Sequence, residues 1–448
     1  MSTLVTGGRL LTCVDETVIE RGAVLIEGEH IAWAGRAEDV PLDARAATVI
    51  DATGLTIMPG LIDAHMHISF GEARTEEELQ IYSPMGHRAI RAAVDAEKVL
   101  LAGVTSATDP GGPRGIALAV RDAIDAGLVQ GPRFSVAGRQ MSTQQGIGNT
   151  LPAWVGELDQ SYGALVTSLD DIRQEIRRDV KDGVDLIKVA ISGPGTTEYA
   201  AMSLEELNLA VSEAHSLGRP VTVHARSRQS VSLAVDAGVD WIMHASYMDQ
   251  VTLDRVVEHH IPILPALTLL MNTLEATPGY YTAAMLDGVK NELDAAVDVL
   301  RRARDAGVTM IAGSESGFGM TPYGAWHARE LQIFVDYLGM RDHEALLCMT
   351  RNAAAACPRH AGSVGTLTEG RFADLLLING EPDRDVRVLQ DPSRLNAIIK
   401  GGQVVHPWRP VDAPRRRMAG ESARRYVDDV YRPGPQGAPA LPARGGSA

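Results

Sequence analysis

Two textures of apolar spacing alternate along the chain. Up to about residue 57 the apolar positions come in pairs and short runs: Leu4-Val5, Leu10-Leu11, Ala23-Val24-Leu25-Ile26 and His30-Ile31-Ala32-Trp33-Ala34. Gly7-Gly8, Glu27-Gly28-Glu29 and Ala52-Thr53-Gly54 punctuate them. Runs this short, bounded by glycine-bearing turns, predict strands, and no window carries the 3.6-residue period of an amphipathic helix.

From Met58 onward short apolar runs alternate with longer amphipathic stretches. The runs are 60–64, 104–108, 133–137, 186–190, 221–223, 241–243, 261–264 and 309–312, eight in all. Helix patterns fill segments 89–101, 169–182, 203–217 and 286–306, and Gly103, Gly183 and Gly307 stand at three of their ends as stop signals. Eight such alternations predict an α/β protein with a (β/α)8 barrel over residues 58–362, a doubly wound sheet being the lesser option. Strand texture returns in 373–378, 397–400 and 403–405, with a Gly401-Gly402 turn. The simplest arrangement joins 1–57 and 363–410 in one small composite β-sandwich beside the barrel. Residues 411–448 are rich in Pro, Gly and Arg, and 414–448 hold seven Arg against three acids. That segment reads either as a solvated tail or as an arm docking on a neighbouring subunit.

Bulk properties narrow the partners. A formal net charge of −15 disfavours nucleic acid. No apolar run approaches the ~18–20 residues of a membrane span, so no membrane partner is expected. The first residues lack a basic segment followed by an apolar stretch, which points to the cytoplasm. Three cysteines, none in a CxxC pair, support neither a disulfide framework nor a cysteine zinc knuckle.

The candidate chemistry sits at the ends of the predicted strands. His65 and His67 flank Met66, and alternate strand residues share a side, so both imidazoles can reach one ion. Alone, such a pair reads equally as two partly exposed histidines. Position adds weight, because barrel active sites collect at C-terminal strand ends. Lys188 lies inside an apolar run. If buried, it loses its proton readily and its neutral amine can take up CO2 as a carbamate that bridges two metal ions; otherwise it is a rim residue in a salt bridge. His224 and His244 end the fifth and sixth runs and offer nitrogens to a second ion. Glu315, after the eighth run, is either a general base toward a metal-activated water or a carboxylate held by its own loop.

Met58-Pro59-Gly60-Leu61-Ile62-Asp63-Ala64-His65-Met66-His67 resembles the metal-binding opening of the amidohydrolase superfamily. The order of Lys188, His224 and His244, together with 101–105 and 370–375, is similar to the branch holding imidazolonepropionase-like proteins, prolidase-type dipeptidases and ochratoxin-hydrolysing amidases. The resemblance covers about residues 3 to 406. It implies a binuclear site, usually of zinc, with Lys188 carboxylated and a bridging hydroxide, in a homo-oligomer. Two departures stand out. Glu315 occupies a position where the branch has Asp, and its extra methylene leaves one or two ions per chain open. The loop 138–146 lacks a histidine common in the branch. The stretch from Glu315 to Glu330 resembles the hydrolases of phenylurea and thiocarbamate (molinate) herbicides.

These readings lead to metal-dependent hydrolysis of a C–N bond in a small amide, urea or carbamate, with Glu315, His244 and His327 as catalytic candidates. His327 reads as a proton carrier or oxyanion partner, or else as a surface helix histidine. Trp154, Tyr247, Phe318, Tyr323 and Trp326 are candidate pocket walls. Arg226, with Arg228, could hold a substrate carboxylate, which would suit the alternative of a dipeptidase or N-acyl amino acid hydrolase. A deaminase and a non-catalytic metal-binding homologue are the remaining options.

Overall fold

Glycine decides how the first strand is built. In the computed structural model, which describes residues 2–41, 47–148, 150–158, 161–193, 199–276 and 281–407, Leu4-Val5 and Leu10-Leu11 belong to one strand, Ser2–Leu11. The expected turn at Gly7-Gly8 is instead an irregularity within that strand: its register against Val18–Glu27 shifts on either side of Gly8. Gly7 has φ +89°, a conformation that side-chain-bearing residues rarely adopt, so the glycines bend the strand without ending it.

Ser2–Leu11 is the centre of an eight-stranded mixed sheet drawn from both ends of the chain. The order is Gln403–Val404, Leu395–Lys400, Leu375–Ile378, Thr56–Pro59, Ser2–Leu11, Val18–Glu27, His30–Arg36, with Thr48–Asp51 also paired to Ser2–Leu11. Val5, Leu10, Val24, Ile57, Leu375 and Ile399 form its buried face. The composite arrangement expected for the two ends is therefore present.

The middle of the chain carries two parallel sheets. One is ordered Gly163–Leu165, Gln140–Ser142, Ile187–Ala190, Val221–Ala225, Trp241–His244, Ile263–Leu264. The other is ordered Leu61–Asp63, Val104–Asp109, Arg133–Val136. Backbone hydrogen bonds link them, on the second side through segment 309–312, where Ile263 N–H donates to Thr309 O at 3.0 Å. Asp185 N–H donates to Val136 O at 2.8 Å, and Ala64 N–H donates to Ala312 O at 3.2 Å. Seven of the eight expected runs are strands. The eighth, 309–312, makes only a single parallel bridge from Met310 to Ile263. Gln140–Ser142, expected in a loop, is a strand, and Gly163–Leu165 extends the same sheet.

Helices pack outside these strands. Leu169–Asp182 has the bounds its pattern predicts, because Ser168 caps the Asp171 amide and Gly183 adopts φ +94° at its end. Leu204–Ser216 begins with a reciprocal capping box between Ser203 and Glu206. Ala283–Asp305 buries Val289, Leu293, Ala296, Val299, Leu300 and Ala303 on one stripe. The proposed tail, 411–448, lies outside the described residues.

Candidate metal centre

The strands deliver their polar ends to one buried spot. His65 and His67 follow strand Leu61–Asp63, Lys188 lies on Ile187–Ala190, His224 on Val221–Ala225, and His244 ends Trp241–His244. All five are buried, as is Glu315. Ring centroids of His65 and His67 are 5.2 Å apart, those of His65 and His244 5.5 Å, and those of His224 and His244 4.5 Å. Ligand-capable atoms of His65, His67 and Glu315 all lie within 4.8 Å of one another.

The backbone is shaped around this spot. Glu315 N–H donates to His65 O and His67 N–H to Ser316 O, both at 2.7 Å, so the Glu315 segment is laced to the histidine pair. Gly313 makes that approach possible, since a Cβ there would lie 2.7 Å from the His65 backbone nitrogen. His244, Ala245 and Glu315 have φ of 74°, 57° and 54°. Left-handed conformations at non-glycine residues cost about 1–3 kcal/mol each and cluster at functional sites.

Each donor is prepared for a cation. The Nδ1 of His67 is 2.7 Å from Gly111 O, which can only accept, so Nδ1 carries the hydrogen and Nε2 keeps its lone pair. Phe70 stacks on the same ring at 4.1 Å and fixes its plane. His65 Nδ1, His224 Nε2 and His244 Nε2 are buried without a hydrogen-bond partner among the described residues. Burial pushes the His67 imidazole down to about 3, against the opposing Gly111 hydrogen bond. Burial also holds His65, His224 and His244 well below the usual range, with Lys188 and Arg226 adding to it. Neutral imidazoles with unpartnered ring nitrogens are what a divalent metal needs. Burial lowers Lys188 to about 7, although Glu315 opposes the shift. Its amine rests against the sulfur of Met243, a weak acceptor. Burial raises Glu315 to about 7, against the pull of Arg226 and Lys188. Nitrogen and oxygen donors of this kind fit a divalent metal ion.

Arg226 is buried beside the cluster, its Nε 3.1 Å from Glu292 Oε1. Phe318 packs on His67 and on Phe70, with centroids 6.2 and 5.2 Å apart. Tyr323 stands behind the histidines: its hydroxyl donates to His67 O and accepts from Gly71 N–H at 3.1 Å. Trp326 is buried, with the Arg329 guanidinium 4.9 Å from its ring centroid. Tyr247 and Arg228 line an outer cleft with Asp249, Arg255 and Arg302.

Two expectations are corrected. Trp154 is 87% exposed and stands on the surface rather than in a pocket wall. His327 is neither a surface histidine nor turned to a substrate. Its Nδ1 lies 2.7 Å from Asp63 Oδ2 and its Nε2 accepts from Gly324 N–H at 3.0 Å, so both ring nitrogens are engaged. Sequence reasoning passed over Asp63 and Glu292. Asp63 has the parity of His65 and His67, a legible signal. Glu292 is an acid on an otherwise apolar helix stripe, which is equally visible once the helix phase is set.

The model of the amidohydrolase family matches residues 56–405. Ochratoxinase from Aspergillus niger is 26% identical over 424 residues, covering 89% of this chain and 87% of that enzyme. Its crystal structure has a TM-score of 0.81 at 25% identity, covering 90% of this chain and 95% of that one. A prolidase solved with N-methylphosphonate-L-proline has a TM-score of 0.80 at 27% identity, covering 90% and 99%. Molinate hydrolase, at 20% identity and a TM-score of 0.78 over 93% of this chain and 98% of that one, shares the fold. The chain belongs to the amidohydrolase family.

Proposed function

We propose that the chain hydrolyses a C–N bond of amide, urea or carbamate type in a small substrate. In this reading His65, His67, His224, His244 and Glu315, with Lys188 as its carbamate, hold divalent metal, zinc by the character of the donors. One observation carries it: beside the His65, His67 and Glu315 cluster, ring nitrogens of His65, His224 and His244 are buried without a hydrogen-bond partner among the described residues. When bound, the ion supplies Lewis acidity that polarises a carbonyl and lowers the pKa of water.

The rest falls to the chain. Glu315 takes a proton from the attacking water and returns it to the leaving nitrogen. A proton affinity near neutrality suits both halves of that task. Arg226 places positive charge beside the cluster, where the carbonyl oxygen gains negative charge. Phe70 and Phe318 exclude water from one side. The neutral amine of Lys188 adds to CO2 and releases one proton, leaving a carbamate with two oxygen donors. The same reading closes the two parallel sheets into a (β/α)8 barrel over 58–362, supported by the hydrogen bonds at both joints. Residues 1–57 and 363–410 then form the flanking β-sandwich.

A dipeptidase or N-acyl amino acid hydrolase is the second reading. The likeness to prolidase favours it. So does Arg226, a buried cation beside the cluster that suits a substrate carboxylate.

Metal analysis by mass spectrometry on protein purified without chelators, with a panel of neutral and carboxylate-bearing substrates, tests both. About two ions per chain supports the bridged centre, and about one assigns a mononuclear enzyme. No metal and no turnover reject the hydrolase reading. Turnover confined to carboxylate-bearing dipeptides selects the second.

A further inference from the structure

Glu292 interrupts the apolar stripe of helix Ala283–Asp305 and is 1% exposed. A carboxylate so placed is unfavourable unless donors surround it. One of its oxygens is well supplied. The Ser246 hydroxyl donates to Oε1 at 2.9 Å, and Arg226 Nε lies 3.1 Å from the same atom. The other is not: Oε2 is buried and has no hydrogen-bond partner among the described residues. Native interiors seldom leave an acceptor unmet, so Oε2 calls for a partner: a ligand, an ion or a water.

The neighbours say what Glu292 serves. Ser246 is two residues past His244, and Arg226 is two residues past His224. Glu292 is also close enough to Glu315 to raise its proton affinity. Glu292 therefore neighbours the candidate metal centre. A carboxylate oxygen already compensated by a guanidinium on its other side calls for a neutral N–H or O–H donor rather than a second full charge. The scissile group of an amide, urea or carbamate offers an N–H whenever its nitrogen is not fully alkylated.

We propose that Glu292 is a specificity-determining residue whose Oε2 accepts a hydrogen bond from an N–H of the substrate. The enzyme then prefers substrates whose amide-type nitrogen carries a hydrogen over their N-alkylated counterparts. This rests on the C–N hydrolase reading and names its substrate class more narrowly.

The substitution Glu292→Gln gives a directional test. Ser246 donates to the Oε1 position and the positive charge of Arg226 lies beside it, so the glutamine oxygen settles there and its NH2 occupies the Oε2 position. A donor then replaces the acceptor. The probes are 4-nitroacetanilide and N-phenyl-N′,N′-dimethylurea, each paired with its aryl-N-methyl derivative, which carries no N–H. They are assayed on metal-loaded wild type, E292Q and Ser246→Ala, with binding of each pair measured by calorimetry. Wild type is expected to favour the N–H member by about ten- to a hundredfold in kcat/KM, the range for a hydrogen bond to a charged group. In E292Q the ratio should fall to near one, with metal content and thermal melting unchanged. S246A, which keeps the carboxylate, should keep the preference. A ratio that E292Q leaves intact, or that S246A removes equally, overturns the proposal in favour of a packing role. If no probe turns over, the hydrolase reading is rejected separately and calorimetry decides. Tighter binding of the N–H member in wild type, lost in E292Q, upholds recognition; equal binding, or none, overturns it.

Discussion

Asp63 Oδ2 and His327 Nδ1 are 2.7 Å apart, with both side chains fully buried. The pair is the keystone behind the metal centre. Asp63 Oδ1 accepts the backbone N–H of Ser314 at 2.9 Å and of His65 at 3.2 Å. Ser314 also donates its hydroxyl to Oδ2. One carboxylate thus ties the segment bearing His65 to the segment bearing Glu315, and His327, anchored by Gly324, fixes that carboxylate in place. In the proposed centre, the positions of His65 and Glu315 are held by a group whose own contacts are all to the protein.

Replacing His327 by alanine should therefore act on stability and metal retention rather than on proton transfer. The change leaves Asp63 short of one partner and Gly324 N–H without its acceptor. Loss of about 2–4 kcal/mol is expected from unmet buried groups, read by urea unfolding. Metal should dissociate about 10- to 100-fold more readily, as for other supports of metal ligands. Wild-type stability with selective loss of turnover would instead make His327 a proton carrier.

Glu315→Gln should lower kcat by about 10²- to 10⁴-fold, the usual contribution of a positioned base. Metal should remain, because His65, His67, His224 and His244 are untouched. Metal counted beside kcat separates the two roles open to Glu315: activity and metal lost together would make it chiefly a ligand.

How much was legible depended on whether local rules or distant contacts decided each element. Helix Leu169–Asp182 was readable to the residue, because its cap, Ser168, and its stop, Gly183, are local. The histidine pair, Lys188 and the later histidines were readable because strand parity and apolar runs place them. Gly7-Gly8 misled, since a glycine pair within a strand has the same composition as a turn. Aromatic type alone put Trp154 in the pocket, and no local pattern reports which way a loop faces. His327 required a contact with Asp63, 264 positions earlier in the chain, which a single sequence does not encode locally.

Lys188→Ala should strip the centre, with activity down by about 10²-fold or more as the metal chemistry is lost. Acetate or propionate should restore part of it by filling the space of the carbamate. Only the uncharged amine reacts with CO2. Since burial lowers Lys188 to about 7, that fraction grows as pH rises through 7. Reloading of the metal-free wild type in bicarbonate and zinc should accordingly be faster at pH 8 than at pH 6. Equal metal in K188A without any added acid would remove Lys188 from the ligand set.

Asp179 provides a pH test well away from the ligands. It lies on helix Leu169–Asp182 against Gly138, where an added Cβ would meet its carboxyl at 2.4 Å. Burial raises it to about 8, and the nearby charge of Glu175 adds to the effect. Glu175 itself is engaged by Arg114, Arg139 and Arg178. Between the ordinary aspartate value of about 4 and 8, the folded chain holds a proton that the unfolded chain has released. Stability from this group is therefore greatest at low pH and is lost progressively as pH rises across that window. Asparagine mimics the protonated carboxyl and does not titrate. Asp179→Asn should match wild type near pH 4–5 and exceed it by about 1–3 kcal/mol at pH 8, allowing for relaxation around the charge. Urea unfolding at pH 5, 6.5 and 8 measures the difference. A gap that stays constant with pH would mean that the buried carboxyl ionises at its ordinary value, with the arginines around Glu175 compensating both acids at once.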